Sequence, residues 1–185
     1  MNLPNKITIF RVILVPVFLA FMLIPGIPGG KWIAFAVFII ASLSDTLDGY
    51  IARKYNMVTN FGKLMDPLAD KLLVCSALIC FITSRNLSCV VVVIIIAREF
   101  TISAIRLVAA ESGTVIAASV WGKLKTIFQM IMCCFMIADL PYSWFHVVTQ
   151  VLVYIAAALT VISLIDYIVK NRKVFSDHSG EKDDK

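Results

Sequence analysis

The sequence predicts an all-α integral membrane protein with six transmembrane helices and both termini in the cytoplasm. Of its 185 residues, 60% are apolar or aromatic and only 16% are charged, and the mean hydropathy is +0.90. A soluble domain has about a quarter charged residues. The apolar residues also form long runs, and a helix needs roughly 20 of them to cross a hydrocarbon core. The composition therefore excludes an ordinary globular enzyme, a disordered protein and a basic nucleic-acid binder.

Six apolar runs define the predicted helices in chain order. They cover residues 7–24, 32–52, 64–83, 87–108, 120–140 and 144–169. We expect the first run to be a retained helix and not a signal peptide, because it contains Arg11, ends in a Pro/Gly-rich turn and lacks a small-residue cleavage site. Residues 1–173 are expected to form a single domain, and the polar residues 174–185 a disordered cytoplasmic tail.

The basic residues predict the orientation of these helices. An even number of spans places both termini on the same side of the membrane. If that side is the cytoplasm, only Lys31 and Arg85 face outward, and the other fifteen of the seventeen lysines and arginines face inward. Cytoplasmic loops carry such an excess of positive charge. The sequence therefore predicts a multi-pass protein of the cytoplasmic membrane.

Four aspartates interrupt the second and third apolar runs: Asp45, Asp48, Asp66 and Asp70. An ionised aspartate costs about 2.5 to 3.5 kcal/mol at the membrane centre, so such residues usually mark function. Spacings of three and four residues place each pair on one face of its helix. A short connection makes the two helices an antiparallel hairpin, which brings the pairs to similar depth. Four adjacent carboxylates cannot all stay ionised without cations, and oxygen ligands favour two Mg²⁺ or Mn²⁺ ions.

A structural alternative is that the aspartates form interfacial salt bridges with the basic residues Arg53, Lys54, Lys63 and Lys71. The small residues Gly49, Ala52 and Gly62 argue against it. Small side chains let a helix or a ligand approach the backbone closely, which a salt-bridge network does not require.

The stretch from Asp45 to Asp70 resembles the signature of the CDP-alcohol phosphotransferases, D-x2-D-G-x2-A-R-x8-G-x3-D-x3-D, at all eight fixed positions. The resemblance implies that family's fold and an enzyme that joins an alcohol to the phosphatidyl group of a CDP-linked lipid, releasing CMP. It also implies that Asp45, Asp48 and Asp66 bind metal, with Asp45 and Asp66 bridging two ions. Asp70 would bind the second ion and act as the general base.

The same resemblance implies a set of residues that contact the CDP-lipid. Gly49 would allow close approach, and Arg53 would form charge-assisted hydrogen bonds to phosphate. The whole set comprises Pro4, Asn5, Thr8, Gly49, Ala52, Arg53, Thr59 and Gly62.

Motifs outside the signature bear on the acceptor alcohol. Residues 2–8 with Arg11, residues 98–100 with Arg106, and residues 122–126 resemble the branch of the family that uses sn-glycerol 3-phosphate. A basic pocket for its phosphate is expected from the residues Arg98, Arg106, Lys123 and Lys125. In the alternative interpretation these side chains only anchor the inner membrane face, and Arg98 pairs with Glu99 or with a helix end.

The same residues allow two other kinds of function, a transferase with another acceptor and a cation transporter. The acceptor could instead be serine, inositol, inositol phosphate or phosphatidylglycerol, but an uncharged acceptor would leave the two arginines without a phosphate. A divalent-cation transporter would need a pathway across the membrane, and the outer halves of the six runs contain almost no ionisable residue. The resemblance implies that the partners are CDP-diacylglycerol, sn-glycerol 3-phosphate, membrane lipid and a second copy of the chain, and we expect no nucleic acid.

Overall fold

The protein forms six α-helices in the part of the chain that a computed structural model describes. These are residues 3–54, 60–111, 116–117 and 119–171, with side chains described except at 3–6, 45–54, 60–67, 70 and 111. The helices are α1 (Leu3–Leu23), α2 (Gly30–Lys54), α3 (Asn60–Ser84), α4 (Cys89–Glu111), α5 (Val120–Ala138) and α6 (Ser143–Lys170). No strand occurs in these ranges. The all-α prediction is confirmed, and each predicted apolar run corresponds to one helix.

The helices extend beyond several of the apolar runs that predicted them. α2 continues to Lys54 and α3 already begins at Asn60, so polar residues on both sides of the connection are helical. Helical hydrogen bonds join backbone groups only, so polar residues can continue a helix and hydropathy underestimates helix length. The aspartates consequently lie within continuous helices and not at their frayed ends.

Specific residues set where helices end and begin. Gly26 and Gly29 adopt positive φ values of 88° and 69° between α1 and α2, a conformation that glycine reaches without strain. Ser119 caps the start of α5 by accepting a hydrogen bond from the Gly122 amide. Asp139 ends α5 in the left-handed conformation, with its amide bonded to the Phe135 carbonyl.

One apolar core holds the bundle together. α1 packs mainly on α2 and α3, α6 packs on α5 and α4, and α5 joins the two groups through α2 and α3. Large buried side chains from several helices meet there, and the rings of Phe18 and Phe38 lie 5.8 Å apart. A second, smaller cluster of Ile102, Ile105 and Tyr167 joins α4 to α6.

Much of the apolar surface lies outside this core. α5 and α6 are the helices in the described ranges that are long and apolar enough to cross a membrane, and most residues of both are not buried. At 1.5 Å per residue, α6 with its 28 residues is about 42 Å long and α5 with 19 about 28 Å. Exposed apolar surface on this scale indicates contact with an apolar environment. The protein thus has helices that could span a membrane.

Two basic residues and an aspartate meet at one end of the bundle. Lys31 Nζ donates to the Asp139 carbonyl at 3.3 Å, and Arg85 Nε donates to the Met136 carbonyl at 2.8 Å. Arg85 Nε also lies 3.5 Å from Asp139 Oδ2. The start of α2 and the ends of α3 and α5 therefore share one end, as helices of alternating direction require. Lys31 and Arg85 are the two basic residues that the sequence assigns to the outer face.

Candidate active site

The two aspartate pairs lie on neighbouring helices. Asp45 and Asp48 belong to the last ten residues of α2, and Asp66 and Asp70 to the first eleven of α3. Both pairs are therefore in the helix halves remote from the Lys31 and Arg85 end. The helical backbone brings residues three and four apart to one face, as the sequence predicts. Their side chains lie outside those that the structure describes.

The residues expected to contact the CDP-lipid are mostly outside the described side chains. This holds for Pro4, Asn5, Gly49, Ala52, Arg53 and Gly62, and Thr59 lies outside the described residues altogether. Thr8 is described and is fully buried on α1, one turn before the equally buried Arg11. The assignment of this whole set stays a prediction.

The metal site also stays a prediction. Among the described side chains, no group of three or more His, Cys, Asp or Glu residues could hold an ion. The four aspartates lie outside that set, and they provide only carboxylate oxygens. Such a donor set fits a hard divalent cation of the Mg²⁺ or Mn²⁺ type and not zinc.

A basic cavity of about 400 Å³ lies between α3, α4, α5 and α6. We call it the basic pocket. Its charged wall residues are Lys71, Arg98, Glu99, Arg106 and Lys123. Four cations against one carboxylate give the wall an excess of positive charge, which favours an anionic ligand. Lys71 directly follows Asp70 in the chain, so the pocket adjoins the aspartate segment of α3.

Arg98 is the central cation of this wall and is only 7% exposed. Its Nε donates to Ser163 Oγ on α6 at 3.1 Å, and its Nη1 donates to Glu99 Oε1 at 3.0 Å. Within the described residues Nη2 makes no hydrogen bond. A guanidinium has five N–H groups, so three of them are left for a ligand. Arg98 thus pairs with Glu99, as the alternative interpretation holds, and also lines the pocket.

Glu99 links Arg98 to a second buried cation. Lys125 on α5 is 2% exposed and forms an ion pair with Glu99 Oε1. Lys125 does not line the basic pocket; it lines a smaller cavity of about 80 Å³ behind Glu99, together with Gln129. The described partner of Lys125 is therefore a carboxylate of the protein, and its contact with the acceptor phosphate stays a prediction.

Arg106 lies two turns after Arg98 on α4 and is exposed. Its guanidinium lies 5.9 Å from the ring centroid of Tyr167 on α6, within the range of a cation–π contact. Tyr167 itself is 2% exposed, and its buried hydroxyl has no hydrogen-bond partner among the described residues. Both residues line the basic pocket, and the ring contact holds the Arg106 guanidinium at this wall.

The start of α5 completes the wall. Ser119, Gly122 and Lys123 line the pocket within the first turn of that helix. The amino end of a helix carries partial positive charge, which adds to that of Lys123. Gly122 also lets Arg98 approach closely, since a Cβ built there would lie 3.1 Å from Arg98 Nη2.

The structure brings together three of the four predicted acceptor residues: Arg98, Arg106 and Lys123. Sequence reasoning missed Lys71, Glu99 and Tyr167 as wall residues. For the first two, adjacency to Asp70 and Arg98 was an available signal. Tyr167 carries no such signal, because its place depends on how α6 packs against α4.

The apolar helices, the aspartate pairs and the adjoining basic pocket define an all-helical enzyme with helices that could span a membrane. Residues 1–162 match the family described as CDP-alcohol phosphatidyltransferase. The chain therefore belongs to this family, as the aspartate signature indicates. Members of the family generally use divalent metal ions.

Relatives from several bacteria resemble almost the whole chain. A CDP-diacylglycerol–glycerol-3-phosphate 3-phosphatidyltransferase of Bacillus subtilis is 42% identical over 183 residues, covering 92% of this chain and 95% of the relative. The Haemophilus influenzae protein of the same name is 39% identical over 171 residues, covering 90% and 91%. A probable phosphatidylglycerophosphate synthase of Mycobacterium tuberculosis is 39% identical over 172 residues, covering 91% and 81%.

Proposed function

We propose that this protein transfers the phosphatidyl group of CDP-diacylglycerol to sn-glycerol 3-phosphate, giving phosphatidylglycerophosphate and CMP. Relatives named for that activity match the chain nearly end to end. The observation that carries the proposal for this chain is the basic pocket beside Asp70. A phosphorylated acceptor needs such a pocket, whereas serine, inositol and other acceptors without a phosphate do not.

The pocket suits the phosphate of glycerol 3-phosphate in charge and in size. Arg98 and Arg106 offer planar guanidinium groups that bind phosphate oxygens in pairs, and Lys123 adds a point charge. About 400 Å³ accommodates a small ligand of this kind. Lys125 has a different part in this proposal: it balances Glu99 so that Arg98 keeps donors for the ligand.

The reacting end of the acceptor would lie toward the aspartates. Asp45, Asp48, Asp66 and Asp70 would hold two divalent cations, which when bound neutralise the pyrophosphate and stabilise the leaving CMP. Asp70 accepts the proton of the attacking hydroxyl. The hydroxyl oxygen then bonds to the lipid-side phosphorus as the bond from that phosphorus to the CMP oxygen breaks. Gly49 and Arg53, with the rest of the predicted CDP set, orient the nucleotide.

The proposal includes the placement of the chain in the membrane. All six helices would cross the cytoplasmic membrane, with both termini and the aspartates on the cytoplasmic side. The separation of the aspartate helix halves from the Lys31 and Arg85 end supports this orientation. Residues 1–173 would form one catalytic domain with 174–185 as a tail, and the active form would be a homodimer, as the resemblance implies.

The experiment that tests the reaction is CMP release by the purified protein in detergent. CDP-diacylglycerol and Mg²⁺ are supplied with glycerol 3-phosphate, serine, inositol, inositol phosphate or phosphatidylglycerol in separate reactions. We expect turnover only with glycerol 3-phosphate. We also expect turnover to stop on chelation, to return with added Mg²⁺, and to be abolished by Asp70→Asn.

Each other outcome discards a defined part of the proposal. Turnover with serine or inositol alone would refute the acceptor assignment of Arg98 and Arg106 while keeping the reaction. Turnover with inositol phosphate or phosphatidylglycerol alone would refute glycerol 3-phosphate as the acceptor. Turnover that survives chelation would refute the metal site. No CMP release with any acceptor would refute the transferase activity itself.

A further inference from the structure

The guanidinium of Arg98 is held from three helices. Glu99 on α4 binds Nη1, Ser163 on α6 binds Nε, and Gly122 on α5 lies against Nη2. We infer that Ser163 and Gly122 are positioning residues: they fix the pose in which Arg98 presents its remaining N–H groups to an anionic acceptor. This inference rests on the proposed function for the identity of the acceptor.

Ser163 is oriented as an acceptor for Arg98. It is fully buried, and its hydroxyl donates to the Thr160 carbonyl at 3.0 Å. With its single proton used there, Oγ can only accept from Arg98 Nε. The hydrogen bond therefore sets the rotation of the guanidinium plane about its long side chain.

Gly122 acts through the absence of a side chain. A Cβ at this position would lie 3.1 Å from Arg98 Nη2 and 3.5 Å from Ser119 Oγ. The first distance is shorter than an ordinary van der Waals contact, so the guanidinium would have to move away from the start of α5. Its φ is not in the left-handed region, so an alanine backbone is allowed there and helix propensity favours alanine over glycine.

This combination gives Gly122→Ala an unusual signature. The substitution should leave thermal stability unchanged or raised, because α5 gains a better helix former. It should nevertheless weaken acceptor binding, because Arg98 is displaced from its pose. A residue with only a structural role would not move these two quantities in opposite directions.

Two matched controls separate positioning from general damage. Thr160→Val removes another fully buried hydroxyl of α6, whose one hydrogen bond among the described residues goes to the Ala156 carbonyl of its own helix. Gly30→Ala adds a Cβ that would lie 3.1 Å from the Phe21 carbonyl, which is equally tight but at the remote end of the bundle. Neither control touches Arg98.

The test on the detergent-solubilised full chain combines thermal unfolding with two readouts of the acceptor. These are KM for glycerol 3-phosphate with kcat from steady-state kinetics, and the dissociation constant of glycerol 3-phosphate by calorimetry. Ser163→Ala removes a hydrogen bond to Arg98, and Gly122→Ala displaces the Arg98 guanidinium. Each should raise the acceptor KM and the dissociation constant about tenfold, the effect expected when Arg98 loses one well-placed bond to the charged acceptor. KM for CDP-diacylglycerol should not change. Ser163→Thr, which keeps the hydroxyl, should recover most of the affinity lost in Ser163→Ala.

The two readouts keep this inference separate from the proposed function. If the wild type binds glycerol 3-phosphate but releases no CMP, the proposed reaction fails and the calorimetry still tests the positioning. If both variants bind the acceptor as the wild type does, or if the controls weaken binding equally, the inference is overturned. Failure of the wild type to bind the acceptor overturns it as well.

Discussion

Removing the charge of Glu99 should destabilise the protein more than removing the charge of Lys125. In the native structure one carboxylate, 21% exposed, faces two cations, Arg98 and Lys125. Glu99→Gln leaves both cations together in a largely buried place without a counter-charge. Lys125→Met, in contrast, leaves Glu99 paired with Arg98 at 3.0 Å.

The structure sets the magnitudes of these changes. Breaking a buried ion pair so that a charge is left uncompensated costs about 3 to 5 kcal/mol. Glu99 is partly exposed and glutamine still accepts a hydrogen bond, so we expect about 3 kcal/mol for Glu99→Gln. Losing only the second partner in Lys125→Met should cost about 1 kcal/mol. For a chain of this size, about 3 °C per kcal/mol gives decreases in Tm of about 9 °C for Glu99→Gln and about 3 °C for Lys125→Met.

The assay is thermal unfolding of the purified variants in one detergent, with the double variant Glu99→Gln/Lys125→Met included. The double variant removes the carboxylate and one of its cations, so its Tm should lie well above that of Glu99→Gln alone. A Glu99→Gln variant as stable as Lys125→Met, or a double variant whose loss is the sum of the two, would refute this account of the ion pairs.

Three further changes probe the two ends of the bundle. Arg106→Ala should raise KM for glycerol 3-phosphate about tenfold, because a phosphate-binding cation is lost, and KM for CDP-diacylglycerol should not change. Equal changes in both KM values would contradict the assignment of the basic pocket to the acceptor. Tyr167→Phe keeps the ring beside Arg106 and removes the buried hydroxyl. Steady-state assays should show a raised acceptor KM, and thermal unfolding should show no decrease in Tm. An unaltered KM would exclude the hydroxyl from acceptor binding. Arg85→Ala removes the bond to the Met136 carbonyl and should cost about 1 kcal/mol in thermal unfolding while kcat stays unchanged; lost activity would mean that this end also serves the reaction.

The helices and the reaction class could be predicted from the sequence because both depend on local patterns of residues. Apolar runs of sufficient length specify helices for an apolar environment, and the spacing from Asp45 to Asp70 fixes which carboxylates share a helix face. Hydropathy was less informative about where α2 ends and α3 begins, since polar residues continue both helices there.

The assembly of the acceptor pocket could be predicted only in part. Two arginines eight residues apart on one helix indicated a shared stripe, and the structure brings Arg98 and Arg106 to the same wall. Residue type and spacing could not show which of Lys123 and Lys125 faces the pocket. They are two residues apart on α5, and helical geometry turns them to different sides: Lys123 to the pocket and Lys125 to Glu99.

The sequence alone determined the six helices, the family and the four carboxylates, since each depends on residue type and on spacing along one segment. Only the tertiary structure decided which side chains surround the acceptor pocket. Ser163 lies more than sixty residues after Arg98, and Tyr167 lies more than sixty residues after Arg106. Each reaches its arginine because α6 packs against α4. Contacts between distant segments depend on how helices pack, which a local pattern does not encode.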